Sequence, residues 1–575
     1  MKRISAIRTG CFLLVLPLVI LMIEGCGIKK MIKDAGKVTY EVTPNPLELH
    51  GDSVKITVNG VFPQKYFHKK ATVTVTPVVK YNGGEKALKS VVLRGDKVEG
   101  GGEAISYKEG GKFTLKDQFL FVKGMEKAEV VLRASAVYKG KTKDLPEVKI
   151  ADGTIITPLL LKPDYKTVAA GDKFDKNPTV TQKSNLYFLV DSWDVRPVEM
   201  KSDEMSNMFR FVDKAAKDSS DFVKMDIYGY ASPEGELKRN AMLSDNRAEA
   251  ANKVMNDRFK KAKLKDLAKR EGFYNKITSN YEDWDGLKGM LQSSSIDGKE
   301  KALSIINTVG DPEAREAQFR QLASYDPIYE AYFPKLRRAE INLAARLRTR
   351  TDDQIRALSA SSPDSLGMEE LLYSSTLVST PEERFKIYQA YARRFPDDYR
   401  GFNNMGVVYV QQGKVNEAQS EFEKANRIAS NNPIVQNNLG VVAAIKGDRK
   451  NAATLFAAGG NSPEGAYNKG NLSVASGKYS DAVSSYGNEC SYNSALAKVL
   501  AGNYSGATQT LDCSVDKESA EGYYLRAVIA ARGSQKEAVV SNLTKAIAAN
   551  ASLKERARND QEFRKYSAEL SGMLN

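Results

Sequence analysis

Histidine is nearly absent from this sequence, with His50 and His68 the two among 575 residues. A Ser-His-Asp or Cys-His arrangement would have to use one of them, each far along the chain from any candidate nucleophile. Cysteine is almost as scarce: Cys11, Cys26, Cys490 and Cys513 show no metal-ligand spacing, so neither a metal nor a cofactor is expected. The formal charge of +14 comes without a dense basic run or an aromatic-flanked basic motif, which argues against nucleic acid. A positive body suits anionic lipid heads, acidic wall polymers or an acidic protein partner; a charge that merely keeps the chain in solution explains it equally well. Gly100-Gly101-Gly102 lacks a following helix and a Lys-Ser/Thr pair, so it reads as a flexible hairpin tip and not as a phosphate loop. Carboxylates are plentiful, and counting alone leaves a two-acid glycosidase open. Most of them fall on predicted solvated helix faces, and the expectation is a chain that is not an enzyme.

What is present begins with an export signal. Met1-Lys2-Arg3 and Arg8 form a positive start, and residues 12–23 are apolar apart from Pro17. That run is too short to span a bilayer and no stop-transfer pattern follows, so residues 1–25 read as a secretory signal. The stretch Ile23-Glu24-Gly25-Cys26 resembles a lipobox, although Glu24 is an unusual occupant. The resemblance implies lipidation of Cys26 and loss of Cys11 with the signal, and two or more acyl chains hold a protein stably in a membrane. By resemblance to lipoprotein sorting, Gly27-Ile28-Lys29-Lys30 in place of an aspartate favours the outer membrane, with the body in the periplasm. Cys490 and Cys513 then remain, in a compartment that permits a disulfide; a bridge and two buried thiols are both compatible with their positions.

The chain is long enough for three or four domains. After a tether at 26–37, residues 38–163 alternate apolar and polar positions at 54–58, 71–79, 91–93, 118–122 and 129–138, punctuated by Gly, Pro, Asn and Asp. This predicts an antiparallel β-sandwich of immunoglobulin type. Residues 164–183 are polar and read as a linker. From about 365 to 575 the chain is helical and repetitive: Gly406, Gly413, Ala418, Phe422 and Ala425 return as Gly440, Gly447, Ala452 and Phe456. The thirty-four-residue period resembles the tetratricopeptide repeat, and weaker copies follow at Gly470–Tyr486, Gly502–Leu511 and Tyr524–Ala546. The resemblance implies an α-solenoid with a concave groove. Asn404, Asn437, Asn438 and Asn468 fall near its inner faces, where such repeats hydrogen-bond an extended partner peptide; they are equally the repeat's habitual polar positions.

The most informative stretch lies between these parts. Residues 185–190 and 222–230 read as buried strands, with a helix over Met205, Met208, Phe209, Phe211 and Val212 between them. Then come Gly229, Tyr230, Gly235, Asn240, Leu243, Ser244, Arg247 and Ala248. In register, these resemble the signature of the OmpA-like peptidoglycan-associating domain, with Ala231-Ser232 replacing that family's Thr-Asp. Residues 334–343, carrying Arg337 and Arg338, resemble its closing strand. The domain would occupy 184–348, with a helical insertion at about 270–330 that includes Trp284, Leu287, Leu291, Ile305, Ile306, Phe319 and Leu322. The resemblance implies that a helix start and the Arg247 guanidinium hold a carboxylate of the wall's stem peptide. Tyr230, Ser232, Asn240 and Arg338 would line the same pocket, and Glu234 would replace the charge of the missing aspartate. Losing that aspartate costs roughly 1.5–3 kcal/mol, about tenfold or more in affinity.

The sequence thus predicts a multidomain α+β protein: a β-sandwich, an OmpA-like α/β sandwich with a helical insertion, and a tetratricopeptide solenoid. Its expected role is a non-enzymatic outer-membrane lipoprotein scaffold that associates with peptidoglycan and recruits protein partners in the groove. The alternative is a pure adaptor of an envelope assembly, secretion or appendage machine whose OmpA-like domain no longer binds the wall.

Overall fold

A computed structural model describes residues 26–279 and 281–574. The expected signal segment, 1–25, lies outside them. The chain forms two compact units, one from Met1–Ala170 with Tyr388–Asn575, the other Gly171–Ile387.

The first unit opens with a helix, Cys26–Lys33, where a tether was expected. Ile28 and Met31, three residues apart, share one helical face and are buried in the core of the following sheets. Those sheets are β-rich as expected. In one, Ser53–Phe62 pairs along its length with Gly111–Leu120. In the other, Thr72–Tyr81 pairs with Glu129–Tyr138. Alternate residues of all four strands, among them Val54, Ile56, Val73, Val75, Leu115 and Val130, meet in one apolar core. The triple glycine is not a hairpin tip. Strands Val91–Gly95 and Glu103–Ile105 run parallel, so the glycines belong to a crossover connection between them.

The same unit continues in paired antiparallel helices, beginning with Tyr399–Gln411 and Val415–Ile428, then Pro433–Ile445 and Arg449–Ala458. The glycines of the repeat mark helix crossings. A Cβ on Gly406 would stand 2.5 Å from the Phe422 ring, one on Gly440 2.6 Å from Phe456, and one on Gly470 2.6 Å from Tyr486. The period seen in the sequence is therefore one steric lock, glycine against aromatic ring, made three times. Cys490 and Cys513 are joined in a disulfide, with a Cα–Cα distance of 5.6 Å. The sandwich packs on this array: the Tyr479 hydroxyl donates to the Leu49 carbonyl at 3.2 Å, and the His50 and Tyr479 rings lie 5.4 Å apart.

In the second unit a four-stranded sheet runs in the order Thr179–Tyr187, Arg338–Arg346, Asp221–Gly229, Tyr274–Ile277. The first two pairings are antiparallel and the last is parallel. Helices Asp203–Lys217 and Leu237–Lys261 pack on the sheet; Met205, Met208 and Val212 of one and Ala248, Ala251 and Met255 of the other share its core. Four further helices, Trp284–Gln292, Lys299–Thr308, Pro312–Arg320 and Tyr325–Leu336, enclose a second core around Leu287, Phe319 and Phe333. The helical segment thus starts and ends later than 270–330, because 274–277 joins the sheet. Pro334, read from the sequence as part of the closing strand, instead lies in the last helix, whose Ile328, Phe333 and Leu336 are buried together.

Candidate functional sites: a charged cleft and an occupied groove

The signature segment is built around one close approach. A Cβ on Gly229 would lie 2.0 Å from the Ser244 carbonyl oxygen, so the strand end rests directly on the long helix. Small residues are required on both sides, and Ala248 supplies the other one. The chain then turns through Ala231, Ser232 and Gly235, the last at φ +92°, a backbone conformation that favours glycine. Asn240 fastens this turn: its Nδ2 donates to the Glu234 carbonyl at 3.1 Å and to Glu282 Oε1 at 2.8 Å. Burial raises the Glu282 carboxyl above its usual range.

Beside the turn is an open cleft of about 490 Å³. Ser232, Glu234, Asn240 and Arg247 line it as expected, together with Arg239, Arg320 and Arg337. Counting Asp191 and Asp326, the lining carries four arginines against three carboxylates. Most of these charges are paired. Arg239 meets Asp191 at 2.6 Å, and Arg337 meets Glu234 at 2.9 Å, while Ser232 Oγ donates to the same Glu234 oxygen at 2.7 Å.

Arg247 differs from its expected role in two ways. It is the eleventh residue of the helix Leu237–Lys261, about three turns from the N-terminus, beyond the reach of the helix-end charge. Its guanidinium is also engaged already, donating to the backbone carbonyls of Ser192 at 3.0 Å, Tyr230 at 2.9 Å and Leu189 at 3.2 Å. It ties the loop after the first strand to the turn after the central one. Only 1% exposed, it has no carboxylate among its hydrogen bonds; burial, and then the neighbouring Arg337, push its pKa down to about 10. These bonds use three of its five N–H groups.

Arg338 and Tyr230 are not cleft-lining residues. Arg338 pairs with Asp283 and sits 4.5 Å over the Tyr230 ring. Of the arginine pair it is Arg337, the cap between the last helix and the strand, that lines the cleft.

The solenoid groove is filled. Residues 162–170, expected to be linker from 164 onward, run extended along the inner helices. The Ala170 N–H donates to Asn404 Oδ1 at 2.7 Å, and Asn404 Nδ2 donates back to the Ala170 carbonyl at 2.9 Å. Asn438 does the same for Val168, at 2.8 Å each way, and Asn468 for Lys166, at 2.7 Å each way. Asn493 does so for Lys162, at 3.0 and 2.8 Å. Each side-chain amide imitates a neighbouring strand, and the period-2 geometry of an extended chain explains why alternate residues are read. Asn437 Nδ2 adds a bond to the Lys166 carbonyl at 3.1 Å and Asn403 Nδ2 one to that of Val168 at 3.1 Å. The four asparagines expected to hold a partner peptide do hold an extended peptide, and it belongs to this chain. Asn403 and Asn493 were missed; Asn403 stands thirty-four positions before Asn437, which the repeat register makes visible.

The tetratricopeptide repeat family model matches residues 399–432. No curated protein matches the sequence. Among solved structures, PilF of Pseudomonas aeruginosa is 16% identical, with 38% of this chain and 100% of that one covered and a TM-score of 0.28. PilW, described as a widely conserved type IV pilus biogenesis factor, is 16% identical over 37% and 88%, with a TM-score of 0.22. YrrB, described as a TPR protein with an unusual peptide-binding site, is 19% identical over 35% and 93%, with a TM-score of 0.21. Overlaps this loose carry no functional argument. Among the described residues, no helix is long and apolar enough to cross a membrane.

Proposed function

We propose that this protein is a non-enzymatic scaffold of the cell envelope, held at the outer membrane through Cys26, whose cleft takes a carboxylate of the peptidoglycan stem peptide. The helical repeats organise protein partners, in keeping with an interaction fold. The observation that carries the reading is the cleft itself, an open, net-positive concavity formed at the segment that resembles an OmpA-like domain. Arg337 and the remaining N–H groups of Arg247 are the donors to a ligand carboxylate, and Glu234 supplies the negative charge that Ser232 lacks. The test is co-sedimentation of purified residues 27–575 with peptidoglycan sacculi. Arg337→Gln is expected to weaken binding about tenfold or more, the effect of losing one charged hydrogen bond. No sedimentation of the unmodified chain would remove the reading.

The adaptor reading has its own support. Glu234 is bonded by both Ser232 and Arg337, and Arg247 by three backbone carbonyls, so these groups are hydrogen-bonded without a ligand. Under that reading, partner recovery from envelopes is unchanged by Arg337→Gln.

A further inference from the structure

We propose that residues 162–170 are an intramolecular ligand that closes the solenoid groove, and that the solenoid takes a partner by exchanging this strap for an extended segment carrying the same side-chain pattern. The inference rests on reading the helical repeats as a recruiting element and goes beyond it in naming what they recognise.

The groove has hydrogen bonds of its own besides those to the strap. Its asparagines bond one another: Asn403 Nδ2 to Asn404 Oδ1 at 3.0 Å, Asn437 Nδ2 to Asn438 Oδ1 at 3.2 Å, Asn438 Nδ2 to Asn403 Oδ1 at 2.9 Å, and Asn468 Nδ2 to Asn437 Oδ1 at 3.0 Å. This ladder fixes the amides in their reading orientation, and water can serve the remaining positions when the strap leaves.

The strap in turn is held mainly by its backbone. Of residues 162–170 only Ala170 is buried, at 4% exposure, while Pro163, Asp164, Lys166 and Ala169 are exposed. Departure uncovers Ala170 and the part-buried Tyr165, which packs against the core around Phe456.

Side chains add selectivity at one end. The Asp164 carboxylate accepts from the Tyr467 hydroxyl at 2.8 Å and from Asn493 Nδ2 at 2.8 Å. Burial, and then Asp164 itself, holds the Tyr467 hydroxyl above its ordinary range and so protonated as a donor. Lys162 reaches Asp516 at 2.7 Å and lies 4.7 Å over the Tyr492 ring. Tyr165 stacks on Phe456 at 6.1 Å. The segment that fits is extended, with a cation two residues before an acidic residue that is followed by an aromatic one. Covalent attachment gives the strap an effective concentration on the order of millimolar, so a free peptide meets a largely closed groove.

The experiment uses the full chain and a fluorescently labelled peptide with the sequence of residues 160–171. Wild type should bind it weakly. Lys166→Pro removes the N–H that Asn468 accepts and should strengthen binding about tenfold. Adding Asn438→Ala and Asn468→Ala should abolish the gain. If the proline variant fails to fold, Asp164→Ala, which leaves the strap backbone intact, replaces it with the same expected direction. A folded strap variant that binds no better than wild type would show the strap to be a permanent part of the fold and overturn the proposal. So would unchanged binding after the two asparagine substitutions. No wall material enters this assay, so failure of sacculus sedimentation leaves its result intact.

Discussion

Asn438→Ala is the sharpest probe of the filled groove. Asn438 is fully buried and makes four hydrogen bonds. It accepts from the Val168 N–H at 2.8 Å and Asn437 Nδ2 at 3.2 Å, and donates to the Val168 carbonyl at 2.8 Å and Asn403 Oδ1 at 2.9 Å. Truncation does not strand all four partners. The Val168 carbonyl keeps its bond from Asn403, and Asn437 Nδ2 keeps the Lys166 carbonyl. The Val168 N–H and Asn403 Oδ1 are left unsatisfied. At about 1–3 kcal/mol for each such group, and with water able to approach the strap's open side, the expected destabilisation is about 2–4 kcal/mol. Urea unfolding followed by circular dichroism measures it, and amide exchange should quicken at Val168. A destabilisation below about 0.5 kcal/mol, with unchanged exchange at Val168, would refute the assignment of these bonds.

Two further outcomes follow from single contacts. Replacing Cys490 and Cys513 by serine opens a bridge that spans 23 positions and should cost about 3 kcal/mol, read as a lower urea midpoint that reducing agent reproduces in the wild type. Gly229→Ala would drive a methyl group to 2.0 Å from the Ser244 carbonyl oxygen; the strand end must lift from the helix, and a loss of roughly 2–3 kcal/mol is expected in the unfolding of the full chain. A stability change below about 0.5 kcal/mol would mean that the close approach is not maintained.

Local patterning carried the elements and the repeats. Gly406, Gly440 and Gly470 were legible as crossings because each needs an aromatic partner sixteen positions on, a spacing set within one helical hairpin. Met205, Met208 and Val212 were legible as a buried face for the same reason. The cleft was legible in location but not in wiring. Motif register placed Ser232, Glu234, Asn240 and Arg247 together, yet it carried over Arg338, the second arginine of the resembled pair, whereas the residue that lines the cleft is Arg337, which caps the last helix just before the strand. Arg247 looked available because nothing in its neighbourhood in sequence announces the Leu189 and Ser192 carbonyls that occupy it.

By itself the sequence determined the periodic features of this protein: alternating strands, amphipathic helices, a thirty-four-residue repeat and the asparagines on its inner face. Tertiary structure alone decided what those asparagines hold. Ala170 and Asn404 are 234 positions apart and Lys162 and Asn493 are 331 apart, so their meeting leaves no mark within any window of sequence. Backbone recognition deepens that silence. An amide that bonds a peptide N–H and C=O places almost no demand on the side chain of the residue it grips, and the strap therefore reads as ordinary linker until the fold brings it to the groove.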